Sequence, residues 1–160
     1  RRFDFQLGMI AMIRGDYALA RELLVAAISE EDAPAYSGDE VMRVTMAALA
    51  TELLGESEEA LALLSSADRK IKRARLNGVD NPDIYYNEAV LLTMRSEPEK
   101  AMEKLREAYK RGFREQWVID IDGRLAPLRD KPEFILLMEQ IRDDVSQARA
   151  EIQSLSLAAL

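Results

Sequence analysis

The side chains available for chemistry in this chain of 160 residues are carboxylates, cations and hydroxyls, because it contains no His and no Cys. That excludes Ser-His-Asp and Cys-His nucleophilic sets, Cys/His zinc sites and disulfide frameworks. The paired carboxylates Glu58-Glu59 and Asp143-Asp144 stand on polar helical stretches, where no burial raises a pKa for acid catalysis. Asp120-Ile121-Asp122-Gly123 has the start of a calcium loop, but an EF-hand needs a further oxygen ligand before the Gly and a Glu at its twelfth position, where Lys131 stands. A turn in which Asp122 and Gly123 end a helix accounts for the motif. No catalytic residue, metal ligand or cofactor is expected, so any catalysis would lie in a domain outside this chain.

Charge narrows the partners. Arg69, Lys70, Lys72, Arg73 and Arg75 place five positive charges in seven residues of a chain whose net charge is −7, so everything else carries −12. The run is a secondary candidate surface for an acidic partner or a membrane surface. A solvated basic end to a long helix, complementing the helix dipole, is the simpler account of it. The acidic surplus excludes a general nucleic-acid binder, which needs a basic face. No run reaches the ~18 uncharged apolar residues of a transmembrane helix, and Arg1-Arg2 is not followed by the apolar stretch of a signal peptide. The first Met is Met9, so a piece of a longer chain is expected.

The elements that position these residues are helices. A length of 160 suits one domain burying roughly 68–70% of its unfolded surface. Seven Gly and five Pro punctuate stretches of helical apolar period rather than forming linkers. Phe3, Leu7, Ile10, Met12 and Ile13 stop at Gly15-Asp16 and resume as Leu19, Leu23, Leu24, Ala27 and Ile28. After the polar stretch Glu30–Asp39, Ser37 and Glu40 form a capping box opening a helix to Leu54. Ser57 is the expected cap of a long helix ending at Asn77-Gly78. Asn81-Pro82 opens the next, and Ser96 is the expected cap of the one ending near Gly112. A short apolar segment, Trp117–Ile121, and a final helix from Pro132 to Leu155 complete the chain. No alternating strand pattern of useful length is present.

The turns superpose. Gly8, Gly15, Ala20, Leu24 and Ala27 align with Ala48, Gly55, Ala60, Leu64 and Ala67, and with Ala89, Ser96, Ala101, Leu105 and Ala108, at identical spacings. Small residues at these points let two helices cross closely and admit the next pair. A single hairpin cannot cover its apolar faces, so the pattern predicts stacked hairpins.

This pattern resembles the tetratricopeptide repeat, most fully in the first hairpin, where Leu7-Gly8, Gly15-Asp16-Tyr17, Ala20, Leu24 and Ala27 are of the family's residue types. The large aromatic expected early in each first helix is absent from the first two, where Asp4 and Val44 stand, and present as Tyr85 in the third. The closing Pro is missing, and the repeat lengths of 40 and 41 exceed the family's ~34, which implies long second helices. From Ala108-Tyr109-Lys110-Arg111-Gly112 through Leu125-Ala126-Pro127-Leu128-Arg129-Asp130-Lys131-Pro132-Glu133-Phe134 the chain is similar to the ends of repeat regions in bacterial membrane-tethered transcription regulators, adenylyl cyclases and protein kinases. The resemblance implies an all-α, right-handed solenoid as a single domain over 1–160. Its hairpins are about 3–29, 38–76 and 82–112. A degenerate fourth unit and a capping helix fill 113–160, with Trp117, Leu125, Leu128, Phe134 and Leu137 closing the core.

In such a stack the first helices line a concave face, here Phe5, Met9, Met12, Ile13, Met42, Thr45, Leu49, Leu53, Tyr86, Val90 and Met94. That face is apolar and Met-rich, suited to an amphipathic or extended protein segment; the same residues become core if the final helix or a neighbouring unit covers them. Repeat proteins that clamp the C-terminal carboxylate of chaperones carry Lys and Asn there, and Phe5, Met9 and Thr45 replace them, which rules out that ligand class. The expected function is non-catalytic binding of a protein segment or a neighbouring domain. The alternative is a regulatory or oligomerising region of a bacterial cyclase, kinase or transcription regulator. The cytoplasm is the first expectation for location, with the periplasm open for a membrane-tethered regulator, since absence of Cys suits both.

Overall fold

The structure is a computed structural model that describes residues 3–28 and 36–158. The polar link through 29–35, the end of the first predicted hairpin and the two chain ends lie outside the described residues. Among the described residues every regular element is helical. In order they are α1 (Asp4–Arg14), α2 (Tyr17–Ala26), α3 (Gly38–Leu53), α4 (Ser57–Leu76), α5 (Pro82–Met94), α6 (Pro98–Lys110), α7 (Gln116–Ile121), a 3-10 helix (Gly123–Leu128) and α8 (Pro132–Ala158).

The first six helices pack as consecutive pairs, with α2 against α3, and α4 and α3 against α5. The aligned small residues mark the contacts: Ala20, Ala60 and Ala101 are buried, as are Leu24, Leu64 and Leu105. Gly8 shows how close the approach is, because a Cβ built there would stand 2.8 Å from Leu24 Cγ. The three pairs also turn alike. Gly15, Gly55 and Ser96 each adopt positive φ, at 76°, 80° and 59°. Ser96 therefore occupies the glycine position of its turn rather than capping α6. The residue after each turn, Asp16, Glu56 or Glu97, stands at the N-cap. Asp16 accepts a hydrogen bond from the Leu19 amide at 3.2 Å, a reach suited to its short side chain. Ser57 likewise is the first residue of α4, not its cap, and its hydroxyl donates to Glu52 at 3.2 Å. Ser37 and Asn81 do cap α3 and α5, accepting from Glu40 and Ile84 amides.

One apolar cluster runs from α3 through α8, and a second joins α1, α2 and α3. Leu125, Leu128, Phe134 and Leu137 are buried in the first, as expected, but Trp117 is 66% exposed. On the short α7 the buried residue is Ile119, while Trp117 and Ile121, four apart on one face, point outward.

Candidate functional site

The face built by α1, α3 and α5 divides in two. Over α3 and α5 lies the 3-10 helix, the element expected to act only as part of a degenerate end. Asp122 caps it, accepting from the Arg124 amide at 3.0 Å. The Arg124 guanidinium turns back onto the same carboxylate, with Nε and Nη2 donating at 2.8 and 2.5 Å, and Nη1 donates to Thr45 Oγ1 at 2.6 Å. The Tyr86 hydroxyl donates to Asp122 at 2.6 Å, and its ring stacks on Phe113 with centroids 4.6 Å apart. Both charges are buried, which is tolerable only because they are paired and hydrogen-bonded.

Burial pushes the Asp122 carboxyl up, but the hydrogen bonds and charge of Arg124, with the Tyr86 hydroxyl, hold it below its ordinary value. Burial likewise opposes charge on Arg124, and the Asp122 carboxylate prevails and raises it. The Tyr86 hydroxyl is driven far up, first by burial and then by the adjacent Asp122 charge. Nothing in this arrangement loses or gains a proton near neutrality, so it is a lock rather than an acid–base centre.

The lock corrects part of the expected surface. Thr45, Tyr86 and Val90 are 0%, 5% and 0% exposed, buried in the protein's own interior; Arg124 of the 3-10 helix meets Thr45, and Asp122 at its cap meets Tyr86 together with Phe113. Met94 is half-buried against the larger cluster. The other half of the face stays accessible: Phe5, Met9, Met12, Met42 and Leu49 are partly buried, with Ile13 and Leu53 exposed beside them in sequence. The Arg43 guanidinium lies 5.8 Å from the Phe5 ring centroid, a cation–π distance. Gly123 ends the cover here, its virtual Cβ 3.8 Å from Leu49.

The basic run does not form one face. Lys70 approaches Glu40 at 3.8 Å and Lys72 pairs with Asp68 at 2.8 Å. Arg75 is tied into the fold, donating to both Glu88 oxygens at 2.9 and 3.0 Å and lying 3.8 Å from the Tyr85 ring centroid. Glu88 would rise on burial, yet Arg75 and Lys104 hold its pKa below the ordinary value. Arg69, Lys72 and Arg73 are exposed, whereas Lys70 and Arg75 are half-buried. Glu58 and Glu59 are exposed, and Asp144 accepts from the Tyr109 hydroxyl at 2.6 Å. Among the described residues no cluster of three or more Asp and Glu is placed to hold a metal ion.

Sequence reasoning reads Asp122 only as a turn residue and misses Arg124 and the buried pair that the two form. Their one signal is the Asp-x-Arg spacing at a helix start, which is common at solvated turns. No family model matches the chain, and no curated protein or solved structure matches it either.

Proposed function

We propose that the chain is a non-catalytic protein-interaction module of the tetratricopeptide type, a right-handed stack of three hairpins whose open α1–α3 face takes an apolar segment of a protein partner. The observation that carries this reading is the half-covered face. Arg124 and Asp122 of the 3-10 segment close over Thr45 and Tyr86, while Met9, Met12, Met42 and Leu49 are only partly buried along the continuation of the face. Flexible Met side chains adapt to an inserted helix or strand without a preset shape. The recurrence of Ala20, Ala60 and Ala101 at buried helix crossings supports the repeat reading. A second reading, an oligomerising region of a bacterial adenylyl cyclase, kinase or transcription regulator, draws on the bare second half of α8.

The test is selection from a displayed library of amphipathic helical peptides, mapped on methyl-labelled methionines. The seven Met residues are spread through the chain, so binding should shift the Met9, Met12 and Met42 methyls and leave those of buried Met102 and Met138 in place. Leu49→Asp should weaken the selected peptides at least about ten-fold. Peptides that perturb other methyls, or a selection with no binder, would overturn the reading.

A further inference from the structure

Beside Ile135, Leu136 and Leu137 in its first turns, α8 carries seven apolar residues on one seam that runs along most of its length. From Phe134 they step by four and three through Met138, Ile141 and Val145, then by three, four and three through Ala148, Ile152 and Leu155. The first part is interior: Phe134, Met138 and Ile141 are at most 6% exposed, and Val145 packs on the same core. The second part is bare. Ile152 is 66% and Leu155 70% exposed, with Ala148 exposed between them and Val145. The helix does not end where its support does; it runs unbroken for 27 residues.

A strict alternation of three and four sustained over three heptads is the period of a helix pairing with another helix. Packing on the domain explains only its first half. An ideal straight helix drifts roughly 20° per heptad from that period, so a stripe kept in phase past the last core contact indicates a second helical partner.

We infer that the bare half of α8 pairs with the same segment of a second copy of this chain, antiparallel about a two-fold axis at Ala150. Three observations select this occupant. The seam is self-complementary about that point, with Val145 opposite Leu155 and the small Ala148 opposite the large Ile152, as an isologous contact requires. The body of the protein occupies the seam side upstream of Val145, so a parallel partner would run into it, whereas an antiparallel partner carries its own body to the opposite end. The stripe is also too narrow and too balanced for a membrane surface, with Arg149 and Glu151 flanking it and no basic excess. The antiparallel register sets Arg149 beside its copy on one flank and Glu151 beside its copy on the other. These like charges weaken the contact modestly and give it a diagnostic salt dependence.

Two heptads bury less than the roughly 1,200 Å² of a standard interface, so dissociation constants on the order of 100 µM are expected. Sedimentation of the 160-residue chain over a concentration series should show a reversible dimer. Raising the salt should strengthen it. Ile152→Asp should weaken it at least about ten-fold while leaving the melting temperature unchanged, because that side chain has no role in the monomer's core. Arg149→Gln should strengthen it, where a parallel pair would lose an Arg149–Asp144 contact and weaken. The absence of native Cys permits a direct orientation test. Leu155→Cys should cross-link to Val145→Cys and not to itself, since like positions lie about 15 Å apart along an antiparallel pair. A monomer up to about 1 mM, on the scale where binding is worth only a few kcal/mol, would overturn the inference. So would a dimer indifferent to Ile152→Asp, or self-cross-linking of Leu155→Cys. Peptide binding at the α1–α3 face should survive Ile152→Asp, which separates the two proposals.

Discussion

Replacing Arg124 with Leu should be among the most damaging changes at the covered half of the face. Arg124 is 3% exposed and its guanidinium makes two contacts to Asp122 and one to Thr45. Leucine would leave the Asp122 carboxylate buried, with the Tyr86 hydroxyl and the residue-124 amide as donors. Removing one partner of a buried pair costs about 3–5 kcal/mol, against a total stability of about 5–15 kcal/mol. At about 2–4 °C per kcal/mol for a chain of this size, the melting temperature should fall by roughly 6–20 °C. Adding Asp122→Asn, which removes the orphaned charge and keeps a capping oxygen, should return most of that loss and bring the double variant within about 2 kcal/mol of the parent. Urea unfolding followed by circular dichroism reads all three.

The pH dependence provides a second check on the same variant. In the parent the folded Asp122 pKa lies below the unfolded value, so its stabilisation is present above the ordinary carboxylate pKa of 3.8 and is lost as pH falls through the folded value. Without Arg124 burial is the largest influence, opposed only by the hydrogen bonds from the Tyr86 hydroxyl and the residue-124 amide, so the folded pKa should move up past the unfolded value and reverse the sign. The variant's stability should then fall as pH rises through that raised value, and its deficit should narrow on acidification. A single-variant cost under about 1 kcal/mol, strict additivity in the double variant, or a deficit that widens in acid would refute the lock as described.

Three further outcomes are expected. Ala60→Leu should destabilise by roughly 1–3 kcal/mol, because Ala60 is 2% exposed where two helices cross; an unchanged urea midpoint would refute the aligned contacts. Ser96→Gly should stabilise by up to about 1 kcal/mol, since the residue stands at φ 59° in the place where Gly15 and Gly55 serve the other turns, and calorimetry of the pair of proteins measures it. Tyr86→Ala should cost about 3–5 kcal/mol as a buried ring deletion, whereas Leu49→Ala on the accessible half should cost clearly less; equal melts would show that the face is not divided.

The local signals in the sequence carry the helices because each is settled within a few residues. The 3.6-residue apolar period, the caps at Ser37 and Asn81 and the left-handed stops at Gly15, Gly55 and Gly78 depend on backbone geometry alone. The recurrence of Ala20, Ala60 and Ala101 also foretold which small residues sit at crossings, since any larger side chain there would push the helices apart. Residue type does not decide capping at Ser57 and Ser96, because a hydroxyl near a turn suits either side of it; Glu56 and Glu97 take the cap positions. Which half of the apolar face stays open was decided by tertiary structure. Asp122 and Arg124 are two residues apart in the chain, but they meet Tyr86 and Thr45 from 36 and 79 positions away, and no periodic pattern encodes a contact that long. Trp117 shows the same limit: its apolarity placed it in the core, but on a helix of six residues only one face can be buried, and the packing of α7 against α8 gave that face to Ile119.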